Sequence, residues 1–180
     1  MYGIINNTIK DLVIHKFGEE EWEAVLENSD LDIDFFISNE TYDDSITYKL
    51  VESIVSRTQI PVTDLMETLG EWWVTNVSKE KYGALMESGG ATMQEFLKHL
   101  PIFHNRVMLI YPKINAPEFR VSNLEENSLH IHYYSNREGF KHFVLGILYG
   151  LGKMYKTSVE VDVLQSREDG SDHEVYKVTW

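Results

Sequence analysis

The sequence predicts an α+β fold in which an N-terminal helical part is followed by an antiparallel sheet with one helix set between its strands. Three observations carry this. Apolar residues recur at helical spacing over the first part of the chain, the period changes to two after Pro112 and Pro117, and a helical stripe returns between Phe140 and Tyr155 before a last pair of alternating runs. The chain has 180 residues, 43% apolar and 12% aromatic, which is ample for one sizeable core. No Pro/Gly/Ser linker divides it, so residues 1–180 are expected to form a single domain.

Each element has its own signal. Ile5, Ile9, Leu12 and Val13 predict a first helix, and after Gly18 the residues Trp22, Ala24, Val25 and Leu26 predict a short second one. Ile46, Leu50, Val51 and Ile54 predict a helix from Ser45 to about Ser56, and Pro61 ends it. Asp64 precedes Glu67 by a cap-like spacing and opens a helix whose Leu65, Leu69, Trp72 and Trp73 form a heavily aromatic face. Gly89-Gly90 stops a helix of residues 81–88, and Thr92-x-x-Glu95 has the spacing of a capping box. Pro101 suits the first turn of a fresh segment, 102–110, which sets Leu100, His104, Met108 and Tyr111 on one face.

Strands follow. Phe119-Arg120-Val121 begins one, and Leu129, Ile131 and Tyr133 alternate with His130, His132 and Tyr134 in the next. In the helix between Phe140 and Tyr155, Phe143, Ile147, Leu151 and Met154 lie near one stripe, while Gly146 and Gly150 leave room for something bulky. Val159, Val161 and Val163, a turn at Asp169-Gly170, and Val175, Tyr176 and Val178 close the chain as a hairpin.

Composition excludes whole classes of function. Sixteen Lys and Arg against twenty-nine Asp and Glu give a net charge of −13, which repels phosphate backbones and anionic lipid, so neither a nucleic acid nor a membrane is an expected partner. No run approaches the roughly 20 apolar residues of a spanning helix. The start, Met1-Tyr2-Gly3-Ile4-Ile5-Asn6-Asn7, lacks the pattern of a signal peptide, and a cytoplasmic setting is expected. Without cysteine there is no disulfide scaffold, thiolate zinc site, Fe–S cluster or cysteine nucleophile. Nothing reads as a nucleophile elbow or a phosphate loop.

Seven histidines remain. His15, His99 and His173 stand beside charged or loop residues and are expected to be solvated. His130-x-His132 has a metal-ligand spacing on one strand face, but no third ligand is evident and the same alternation suits a wet sheet face. His104 lies on an apolar helix face. Such a residue is commonly a hydrogen-bonded core imidazole, yet a neutral ring nitrogen in a water-poor slot is also what an iron porphyrin requires. In Tyr133-x-Ser135-x-Arg137, an extended backbone would point a phenol, a hydroxyl and a guanidinium the same way, either as ordinary polar groups at a strand end or as a nest for a carboxylate. Taken with His104, the two propionates of haem are a natural anion for that nest.

His104, Pro117, and Tyr133-x-Ser135-x-Arg137 together resemble the signature of the H-NOX family, the haem nitric oxide/oxygen binding domains related to the haem domain of soluble guanylate cyclase. The likeness extends over essentially the whole chain, through the Met-Tyr-Gly start, Gly70-Glu71-Trp72-Trp73-Val74 and Leu145-Gly146-Ile147-Leu148-Tyr149-Gly150-Leu151-Gly152-Lys153. The resemblance implies haem b (iron protoporphyrin IX) buried between the helical and strand-bearing parts. It implies His104 as the proximal iron ligand, Tyr133, Ser135 and Arg137 as propionate binders, Pro117 as the residue pressing on the porphyrin, and Ile5, Phe143, Ile147 and Trp73 as further pocket residues.

In the family, oxygen-binding members carry a distal tyrosine where this chain has Phe143, followed by Val144-Leu145-Gly146. An apolar wall disfavours the polar ferrous–oxygen complex, so the resemblance implies nitric oxide as the ligand, with carbon monoxide also accepted. The Trp73 indole could offer an N–H there or simply pack. The implied switch is release of His104 from the iron followed by a conformational shift. The expected protein is a bacterial-type, stand-alone sensor without catalysis, acting on a separate signalling protein such as a histidine kinase or a cyclic-di-GMP enzyme. The competing readings are an oxygen or redox sensor of the same family and, from another class, a metal-dependent hydrolase built on His130 and His132.

Overall fold

The computed structural model describes residues 1–110 and 117–180, with every side chain among them except those of residues 79, 80 and 110. Tyr111 of the predicted helix face and Pro112 lie outside the described residues. The chain divides into two compact units, Met1–Leu69 and Gly70–Trp180.

The first unit is helical. It holds α1 (Gly3–Phe17), α2 (Glu19–Asn28), α3 (Asp44–Thr58) and the start of α4 (Val62–Trp72). Ile4, Ile9, Leu12 and Val13 of α1, Trp22 and Val25 of α2, and Leu50, Val51 and Ile54 of α3 are buried, as their spacing requires. Gly18, at φ +95°, turns the chain between α1 and α2. Two hydroxyls inside this core are paired, that of Thr47 donating to Asn6 Oδ1 at 2.7 Å and that of Ser53 to the Val25 carbonyl at 2.8 Å, while the buried Asn6 Nδ2 has no partner among the described residues. At the start of α3, Asp43 accepts from the Ser45 N–H. For α4 the first acceptor is the Pro61 carbonyl, bonded to the Leu65 N–H at 3.0 Å, and Asp64 sits inside the first turn instead of capping it. Its carboxylate there favours the positive helix end.

In the second unit, a π-helical segment (Trp73–Ser78) continues directly from α4 into α5 (Lys79–Glu87). Apolar periodicity carries no signature of this wider turn, and the segment was not foreseeable from spacing. The predicted capping box before α6 (Met93–Ile110) is present in full: the Glu95 N–H donates to Thr92 Oγ1 at 3.2 Å, and the Glu95 carboxylate accepts from the N–H groups of Ala91 and Thr92. The sequence predicts a fresh helix after Pro101, but α6 runs unbroken through it. Proline removes one rung of the ladder, and the buried Phe96, Leu97 and Leu100 anchor the turn before it.

The sheet is antiparallel with strand order β1-β2-β4-β3, formed by β1 (Glu118–Ser122), β2 (Ser128–Tyr134), β3 (Glu160–Gln165) and β4 (Glu174–Thr179). Between β2 and β3 lies α7 (Lys141–Met154). The register sets Phe119 opposite Tyr133 and Ile131 opposite Tyr176. Leu129, Ile131, Tyr133, Tyr176 and Val178 are buried, so this face is the sheet's apolar side. The closing hairpin forms as predicted, with a 3-10 turn (Arg167–Asp169) and Gly170 at φ +88° between its strands.

Candidate functional site

His104 sits in the second half of α6, half-buried, with its ring edge-on to Phe119 at 4.9 Å and 67°. Phe119 in turn lies 5.3 Å from the Tyr133 ring across the β1–β2 pair. The helix histidine and the first residue of the Tyr-x-Ser-x-Arg motif are thus joined by one intervening ring. Burial lowers the His104 pKa to about 4, so the imidazole is neutral at physiological pH. Neither ring nitrogen has a hydrogen-bond partner among the described residues.

The motif itself is less extended than its spacing suggests. β2 ends at Tyr134, and the Arg137 N–H donates to Ser135 Oγ at 3.1 Å, a local turn that bends the chain at Asn136. Tyr133 is buried on the sheet, whereas Ser135 and Arg137 follow it in this turn. Tyr133 and Arg137 nonetheless line a common cleft of about 490 Å³. Ser135 keeps its hydroxyl proton, so all three residues remain donors, a set suited to carboxylates.

Phe143 and Ile147 belong to α7, and Trp73 opens the π-helical segment. The helical segments that carry them cross closely at two glycines. A Cβ on Gly70 would fall 2.0 Å from the Phe143 carbonyl oxygen, and one on Gly150 would meet the Val74 side chain at 2.9 Å. The room at Gly150 that suggested a bulky group is therefore filled by this helix crossing. Phe143 is buried edge-on to Phe140 at 5.6 Å, Ile147 is half-buried, and Trp73 makes a tilted contact with Tyr82 at 6.5 Å. Next to Phe143, His142 has a buried Nδ1 with no partner among the described residues. Pro117 is half-buried immediately before β1. Ile5, half-buried on α1, belongs to the first unit.

The other histidines have found different uses. His132 Nε2 meets Ser122 Oγ at 2.7 Å, its Nδ1 meets His173 Nε2 at 2.9 Å, and His173 Nδ1 meets Asp172 at 2.5 Å. His173 is therefore tied in and stacked 4.1 Å over Tyr134 instead of being solvated. His130 Nδ1 is paired with Asn123. No group of three or more His, Cys, Asp or Glu side chains suited to a metal ion occurs among the described residues. Sequence reasoning missed Phe119, whose only signal was its place opposite Tyr133 in a period-two run.

A family model described as Haem-NO-binding matches residues 2–163. Among curated proteins, the chain is 27% identical over 170 residues to soluble guanylate cyclase gcy-31 of Caenorhabditis elegans, and 29% identical over 177 residues to soluble guanylate cyclase gcy-34 of the same organism. These alignments cover 94% and 96% of this chain but 24% and 26% of the relatives, so the chain spans about a quarter of their length. Among solved structures, the Fe(II) unliganded H-NOX protein from K. algicida is 28% identical, with a TM-score of 0.87 over 99% of this chain and 96% of that one. An H-NOX protein from S. oneidensis in the Fe(II)NO ligation state, 19% identical, has the same fold, with a TM-score of 0.89 over 99% of this chain and 98% of that one. A match of this extent across both compact units means that the chain belongs to the haem-NO-binding, or H-NOX, family of haem-based gas-sensing domains, which have no catalytic activity of their own.

Proposed function

We propose that this domain holds haem b, with His104 as the iron's protein ligand and Tyr133, Ser135 and Arg137 on its carboxylates, and that it senses nitric oxide. The observation that carries the reading is His104 itself: a neutral imidazole without a hydrogen-bond partner among the described residues, one aromatic ring away from the donor motif. When bound, the haem supplies an iron centre that takes up diatomic gases. The protein supplies the rest. His104 offers a lone pair that burial keeps unprotonated, and Phe119 holds the imidazole plane from its edge. Tyr133, Ser135 and Arg137 meet the acidic tails with a phenol, a hydroxyl and a charged fork. Pro117 and Ile147 add apolar contact. Phe143 offers a gas no hydrogen-bond donor, which favours nitric oxide and carbon monoxide over oxygen, and Trp73 serves as apolar wall.

In this proposal, gas binding changes the hold of His104 and so the setting of α6, and a separate signalling protein in the cytoplasm reads the change, a histidine kinase or a cyclic-di-GMP enzyme being suited to that role. The names of the curated relatives, soluble guanylate cyclases, support a nucleotide-signalling output. Among the described residues no helix is long and apolar enough to cross a membrane. The test is spectroscopic. Purified reduced protein is expected to show a Soret band that responds to nitric oxide, and His104→Gly is expected to change the resting band, with added imidazole restoring it. An unchanged band in the glycine variant would overturn the ligand assignment.

A further inference from the structure

The segment from Ser135 to Phe140 runs from β2 to α7 without regular structure, so its backbone groups need partners from elsewhere. One comes from within, the Arg137 N–H on Ser135 Oγ. The Phe140 carbonyl accepts from the Val144 N–H of α7, and the turn between β3 and β4 supplies a further partner. Arg167 Nη1 donates to the Arg137 carbonyl at 2.9 Å, and Glu168 pairs with Lys141 at the far end of the segment. Arg167 is itself seated: its backbone N–H donates to Glu174 Oε2 at 3.2 Å, and Glu174 is buried directly opposite Tyr133 in the β2–β4 register. The same cleft is lined by Tyr133, Arg137 and Arg167, with Lys141 and the carboxylates of Glu138, Glu168 and Glu174 also on its wall. An arginine that bonds a main-chain carbonyl fixes where that residue's own side chain starts.

We infer that Arg167 is a positioning residue for the carboxylate clamp: it holds Arg137 through the main chain, so that Arg137 meets the acidic tails of a porphyrin from a set direction. The inference rests on the haem-binding reading above. It is tested by loading the protein with iron protoporphyrin IX or with its dimethyl ester and following transfer of each to an excess of apomyoglobin. Unmodified protein is expected to lose the ester faster than the acid. Arg167→Ala is expected to speed loss of the acid by about tenfold, in line with one hydrogen bond to a charged group, and to leave loss of the ester unchanged. The double variant Arg137→Ala/Arg167→Ala should lose the acid no faster than Arg137→Ala alone, the sign of action through Arg137.

Arg167→Gln, which keeps an N–H donor without the charge, separates the hydrogen bond from the field and remains informative if the alanine variant folds poorly. It should retain the acid better than Arg167→Ala or, failing that comparison, within a few-fold of unmodified protein. Equal loss of acid and ester from unmodified protein would remove the clamp reading itself. Discrimination by unmodified protein that is unaltered in both Arg167 variants, or effects that add in the double variant, would overturn the role given to Arg167 alone.

Discussion

Residue 143 is a phenylalanine buried on α7, and its ring has no proton to give. A single hydrogen bond to a bound gas is worth about 1 kcal/mol, or roughly a fivefold change in affinity. Phe143→Tyr is therefore expected to raise oxygen affinity by about that factor or more, while unmodified protein gives no stable ferrous–oxygen spectrum in aerated buffer. A persistent oxygen spectrum from the unmodified protein would contradict the gas preference. At this scale the sequence is most informative where one residue type has one chemical use. His104 stood out because an imidazole on an apolar helix face asks for an explanation, and burial has indeed depressed its pKa. Phe119 did not stand out, since a phenylalanine on a strand is ordinary until register and helix packing set it against both His104 and Tyr133.

Helices and strands follow the apolar periods closely, because each period corresponds to one way of burying a face. The misses share a cause: they are places where a tertiary contact settles what local spacing leaves open. α6 passes through Pro101, the chain bends at Asn136 once Ser135 accepts from Arg137, and the π-helical turn follows Gly70 at its crossing with α7. That crossing can be tested directly. A Cβ at position 70 would lie 2.0 Å from a backbone oxygen, which cannot swing aside as a side chain would. Gly70→Ala should therefore lower unfolding free energy by about 3 kcal/mol, measured in urea, and in haem-loaded protein should shift the visible spectrum through Trp73 and Phe143. Gly83, where an added Cβ would meet open space, is the control, and Gly83→Ala should leave stability equal or slightly improved.

For the molecule as a whole, composition argues against several classes of function, yet it carries no signal for the two compact units or for the pairing of His132 with His173. Both depend on contacts between residues distant in sequence. The histidine pair makes a global prediction. Burial first, then the charges of His173, His130 and Arg120, hold the His132 pKa below its ordinary value. Above the ordinary imidazole range both folded and unfolded chains are neutral at this position; as pH falls through about 6.5 the unfolded chain takes the proton first. Stability should therefore be full near pH 7 and decline as pH falls below about 6.5, and His132→Gln should lessen that decline in chemical denaturation. An identical pH profile in the variant would show that the pair has no such effect. The glycine crossing carries a consequence for the order of assembly. Its two sides meet backbone to backbone and stand far apart along the chain, with His104, Pro117, Phe119, Tyr133, Ser135 and Arg137 all strung between them. A closure so non-local carries the entropy cost of a long loop, so the crossing is expected to form after the local helices and hairpins it joins.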